Sequence, residues 1–118
     1  MSEIILRDIY KNIKNIAIIG ISPKEDRPSN KVSFELQKRA YKIIPINPNY
    51  EEVLGEKAYK DIADTDEKID IAVLFVNSNR ALEEVKKAIE KKVSYIWLQE
   101  GVISEEAKRL SEEAGIPF

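Results

Sequence analysis

A three-layer α/β/α domain, doubly wound about a mostly parallel sheet, follows from three observations on this 118-residue chain. Short apolar runs rich in β-branched residues alternate with segments of helical spacing. No run is long enough to stand as a free helix, so each reads as a strand buried on both faces. A lone glycine, Gly20, closes the first run, where a Rossmann-like sheet places its ligand-binding turn.

Residues 4–13 set Leu6, Ile9, Tyr10 and Ile13 on one stripe and predict a leading helix packed on the sheet. The strands are "NIAIIG" (15–20), "KIIPI" (42–46), "DIAVLFV" (70–76) and "VSYIWL" (93–98). Ser29 is the expected N-cap of a helix reaching about Ala40, with Val32 and Leu36 inward. Ser78 or Asn79 caps the next helix, whose stripe is Leu82, Val85 and Ile89. Ser104 caps the last, with Glu105 and Glu106 in its first turn and Gly115 as its stop. The irregular middle suggests a short strand near 57–59 and a short helix near 61–64. After "GIPF" the chain ends where another strand is expected, so the last strand is short or missing. The whole, 1–118, reads as one domain.

Composition narrows the chemistry. There is no cysteine and no histidine, which excludes disulfides, thiolate nucleophiles and the usual general base and metal ligand. No catalytic and no metal-ligating residue is therefore assigned. Nineteen basic and twenty-one acidic side chains, interspersed, give a net charge of −2 and no footprint for nucleic acid. No apolar run spans a membrane and the first residues are too charged for a signal peptide, so a cytoplasmic location is expected. A charged fraction of 34% leans toward a thermophile, although seven asparagines weigh against it.

Ligands of such sheets bind beyond the carboxyl ends of the strands. That aligns residues 20–29, 47–49, 76–79 and 99–101 along one crevice. A dinucleotide fingerprint would need glycines at 22 and 25 and an acid after the second strand. The chain has Ser22, Glu25 and "PINPN" instead. What the loop offers is Arg27, the hydroxyls of Ser22 and Ser29, a helix N-terminus for phosphate, and Pro23 and Pro28 to stiffen it.

The stretches "GISPKEDRPS", "IIPINPN", "LGEKAY", "IDIAVLFV" and "IWLQEGV" with "EEAKRLSEEAGI" resemble, in order and spacing, the stand-alone CoA-binding domain proteins. These are relatives of the CoA-binding domain of the succinyl-CoA synthetase α subunit. The resemblance spans roughly residues 10–118 and implies a Rossmann-like fold binding coenzyme A or an acyl-CoA in that crevice. It implies that Gly20, Ser22, Pro23, Arg27 and Ser29 form the loop over the CoA phosphates; Lys24, in the same loop, is a candidate cation for them on the sequence alone. Asn47 and Pro48 would lie beside the nucleotide, and Val76 and Asn77 against the adenine. Gln99, Glu100 and Gly101 match a Thr-Glu-Gly turn near CoA. Such relatives continue into a further strand and a short tail that this chain lacks, and the synthetase's phosphohistidine has no counterpart here. The expected function is binding without catalysis. A nicotinamide-type nucleotide enzyme or sensor, and a subunit-docking module with a vestigial pocket, remain as alternatives, as does a homo-oligomer or a protein partner.

Elsewhere Trp97 reads as core packing. The acidic pairs Glu51/Glu52, Glu83/Glu84, Glu105/Glu106 and Glu112/Glu113 read as solvated faces, because adjacent helix residues do not face one another. Glu100, at a strand end, is either a ligand acceptor or base, or a turn residue. Besides Arg27, the sequence offers Lys24 and Lys31 near the crevice, with Lys57 or Arg80 as a further candidate, and each reads equally well as a solvated surface charge.

Overall fold

The computed structural model describes residues 13–98 and 105–116. The leading helix expected at 4–13 (save Ile13), the Ser104 cap, the turn Gln99, Glu100 and Gly101, and residues 117–118, to which the question of a short or missing last strand belongs, lie outside them.

Four parallel strands form the sheet: β1 (Asn15–Ile19), β2 (Lys42–Ile46), and, after a hairpin of β3 (Glu52–Val53) and β4 (Glu56–Lys57), β5 (Ile71–Leu74) and β6 (Tyr95–Leu98). Their order is β2-β1-β5-β6. Helix α1 (Pro28–Lys38) links β1 to β2, α2 (Ser78–Glu90) links β5 to β6, and α3 (Glu105–Glu113) follows β6. From the centre of the sheet the chain thus winds first one way and then the other. The reversal lies between β1 and β5, which pair in register from Ile16 with Ile71 to Ile19 with Leu74.

The β-branched runs form strands because both faces are covered, and alternate residues divide between two cores. Ala17, Ile19, Ala72, Leu74 and Ile96 share one with Ala81, Val85 and Ala88 of α2 and Ile116 beyond α3. Ile16, Ile18, Ile43, Ile71 and Val73 share the other with Ile13 and Leu36. Half-buried Trp97 packs against this second core, as the sequence suggests. Each fully buried isoleucine contributes about 1.5–3 kcal/mol, so the sheet needs neither disulfide nor metal to hold it.

The structure corrects three details of the helices. The N-cap of α1 is Arg27, not Ser29, with Pro28 in the first turn, where its missing N–H costs nothing. Val32 is 37% exposed, and the inward stripe of α1 is Ser29, Ser33 and Leu36. Two small hydroxyl residues let the helix approach the sheet, because the Ser33 hydroxyl donates to the Ser29 carbonyl (2.7 Å) and needs no water. The N-cap of α2 is Asn77, one residue before the expected serine, its Oδ1 accepting from the Arg80 amide. At the end of α3, Gly115 has φ +76° and stops the helix as expected. The short helix expected near 61–64 is a 3-10 turn, Ile62–Asp64, closed by a reciprocal Asp61–Asp64 capping box. The strand expected near 57–59 is divided between β4 and a bridge from Tyr59 to Ile46. No helix among the described residues is long and apolar enough to cross a membrane.

Candidate functional site

At the reversal point the loops after β1, β2 and β5 enclose a cleft of about 280 Å³. Its apolar part comes from Ile19, Ile46, Phe75 and Val76 at the strand ends. Asn47, Asn49 and Asn77 add polar groups, with Pro48 between them, and Lys60, Arg80 and Glu84 bring charge.

Gly20 makes this arrangement possible. Its φ is +85°, and a Cβ placed there would lie 2.4 Å from the Phe75 carbonyl oxygen. Only glycine lets the β1 backbone turn aside so close to the end of β5. The Gly20 amide donates to the Ile46 carbonyl (2.9 Å), so the turn ties β2 to β1 as well.

Asn47 fixes the neighbouring loop. Its Nδ2 donates to the Ile21 carbonyl (2.8 Å), and its Oδ1 accepts from the Asn49 amide (2.9 Å). Both ends of the side chain are engaged in shaping the cleft wall. In a dinucleotide enzyme this strand end carries a ribose-binding acid; here the neutral amide holds two loops together.

The β1–α1 loop is secured by serines rather than glycines. Ser29 is buried, and its Oγ accepts from the Ser22 amide (2.9 Å), while Asn30 donates to the Ser22 carbonyl (3.0 Å). The Ser22 hydroxyl accepts from the Lys24 amide (3.2 Å). These bonds explain Ser22 and Ser29 without a ligand. Pro23, Lys24 and Arg27 remain exposed. Arg27 has no ion pair among the described residues, and the first turn of α1 holds neither an acidic residue nor a side-chain cap.

Of the residues expected at the site, the cleft gathers Gly20, Asn47, Pro48, Val76 and Asn77. Ser22, Pro23, Lys24, Arg27 and Ser29 lie outside its lining, on the loop that leads into α1. Lys60 and Glu84 were not legible as cleft residues. Glu84 also departs from the solvated face expected for the Glu83/Glu84 pair: it is 5% exposed, whereas the Glu83 side chain is 71% exposed. The inward stripe of α2 centres on Ala81, Val85 and Ala88, which rotates Glu84 into the protein and leaves Glu83 outside.

Glu84 is charge-compensated there. Its Oε1 lies 3.3 Å from Arg80 Nη2 and 3.6 Å from Lys87 Nζ. Lys87 in turn meets Asp61 Oδ2 at 2.9 Å. Burial pushes the Asp61 carboxyl up, but the Ala63 amide and the Lys87 ammonium outweigh it and hold the carboxyl below its ordinary range. The hydrogen bond to Asp61 raises Lys87 against the opposing effect of burial. Asp61 and Lys87 are therefore both charged at neutral pH. Among the described residues no group of three or more acidic side chains converges as a metal site.

The cleft thus combines apolar strand ends, asparagine amides and cationic side chains. Known proteins resemble this chain over most of its length. A protein of Bacillus subtilis (strain 168), described as uncharacterized protein YneT, is 34% identical over 110 residues, covering 93% of this chain and 82% of that one. The ADP-forming acetate–CoA ligase of Methanocaldococcus jannaschii is 39% identical over 77 residues, 63% of this chain but only 11% of the ligase. The solved structure of a hypothetical protein from Pyrococcus horikoshii OT3 superposes with a TM-score of 0.94 at 37% identity, covering 98% of this chain and 82% of that one. A family model described as CoA binding domain matches residues 14–118, and the chain accordingly belongs to the CoA-binding domain family.

Proposed function

We propose that this chain binds coenzyme A, or an acyl-CoA, with the nucleotide half in the cleft between β1 and β5 and without a reaction of its own. The observation that carries this reading is the convergence of Gly20, Asn47 and Asn77 at the reversal point of the sheet, in a chain of a CoA-binding family. Pockets that enclose a drug-sized ligand measure about 300–1,000 Å³. A cleft of about 280 Å³ suits part of CoA, and the pantetheine arm and any acyl group would extend beyond it. The engaged Asn47 amide, in place of a ribose-binding acid, favours CoA over a nicotinamide dinucleotide. Binding in place of catalysis is supported by the lack of histidine and cysteine.

In this reading one phosphate group meets the N-terminus of α1, where backbone N–H groups and the helix dipole favour an anion. Arg27, exposed and free of acidic partners among the described residues, adds a charge-assisted fork. Ser22 and Ser29 hold the loop in place for it. Arg27→Ala is expected to weaken CoA binding more than tenfold in calorimetric titration. Its melting temperature should stay close to wild type, since an exposed side chain contributes within about 0.5 kcal/mol. Equal affinity in the variant would remove Arg27 from the site.

A further inference from the structure

The buried carboxylate of Glu84 has no part in the binding reading above, yet it sits where the cleft meets α2. Burial of a carboxylate persists where cations neutralise it, and Glu84 has two. One, Lys87, is already held by Asp61 on the 3-10 turn. The other, Arg80, has a side chain 57% exposed and lines the cleft.

The series Asp61, Lys87, Glu84, Arg80 therefore alternates in charge from the 3-10 turn to the cleft. Only its last member is both exposed and on the cleft wall. A guanidinium carries five donors in a rigid fork, and the bond from Nη2 to Glu84 (3.3 Å) leaves donors for a second anion. A long side chain tethered in this way loses less freedom on binding than one that is unrestrained. Arg80 also lies in the first turn of α2, whose positive end adds to its charge.

Resting on the CoA reading, we infer that Arg80 recognises a phosphate group of the nucleotide in the cleft and that Glu84 positions it. The pyrophosphate and the 3′-phosphate of CoA share this chemistry, and the choice of ligands separates them.

The test titrates wild type, Arg80→Gln and Glu84→Gln with CoA, dephospho-CoA and adenosine, alongside thermal unfolding. Arg80→Gln should lose about tenfold or more in CoA affinity, the scale of one charge-assisted hydrogen bond, and nothing for adenosine. A loss that disappears with dephospho-CoA identifies the 3′-phosphate; a loss that persists identifies the pyrophosphate. Glu84→Gln should show the same ligand pattern at smaller size, and no further loss of affinity when added to Arg80→Gln. A merely structural role for Glu84 would instead lower the affinities for all three ligands alike. If Glu84→Gln fails to fold, Arg80→Gln decides alone. Unchanged CoA affinity in Arg80→Gln, or an equal loss for adenosine, overturns the inference and leaves the CoA reading intact. Failure of the wild type to bind CoA overturns both.

Discussion

Gly20→Ala is expected to lower the melting temperature by roughly 10 °C or more and to weaken CoA binding with it. Two costs combine. An L-residue in the left-handed region costs about 1–2 kcal/mol, and Gly20 sits there at φ +85°. The added methyl would then meet the Phe75 carbonyl oxygen at 2.4 Å, a backbone atom that cannot rotate away. Forcing a methyl into a filled site costs roughly 1–3 kcal/mol more. Near this chain length each kcal/mol moves the melting temperature by about 4 °C. Relief requires β1 and β5 to separate at their ends, which would widen the floor of the cleft. Thermal unfolding followed by circular dichroism checks the stability, and titration of the folded fraction checks the site. A melting temperature within two or three degrees of wild type would mean that the turn has another accessible shape.

Asn47→Ala is expected to destabilise by about 1–3 kcal/mol and to weaken CoA binding. The substitution leaves the Ile21 carbonyl and the Asn49 amide without the partners they have in the native protein. The loops after β1 and β2 would then be joined near the cleft chiefly through the Gly20 amide and the Ile46 carbonyl. Asn47→Asp separates the two bonds: it keeps the acceptor for Asn49 and loses the donor to Ile21. Its stability should fall at least as far as that of the alanine variant, because a carboxylate would face the Ile21 carbonyl. Chemical denaturation gives both values, and an aspartate variant as stable as wild type would contradict the assigned bond.

The architecture was legible because strand burial on both faces leaves a continuous β-branched signal. "NIAIIG", "KIIPI", "DIAVLFV" and "VSYIWL" each contain an observed strand, trimmed by up to three residues. The position of the cleft followed from topology, and Gly20, Asn47, Pro48, Val76 and Asn77 fall on its wall. Helix faces were harder to read. Ser29 and Ser33 look like surface residues, but their hydroxyls are satisfied inside the protein, so α1 turns a polar-looking stripe inward and Val32 outward. Glu84 was missed for the same reason: its burial depends on Arg80 and Lys87, each a short step along the same helix. The β3–β4 hairpin left little trace, since its turn uses Leu54 at φ 53° beside Gly55 at φ 79°. Leucine is not a residue that announces a left-handed turn.

The cleft at the end of β1 is proposed to bind the nucleotide half of coenzyme A. Isothermal titration of the purified protein with CoA, then dephospho-CoA and NAD, tests it most directly. Micromolar CoA binding is expected, with weaker binding of dephospho-CoA if the 3′-phosphate is read and no comparable binding of NAD. NAD binding equal to or tighter than CoA, or no heat from any of the three, would contradict it.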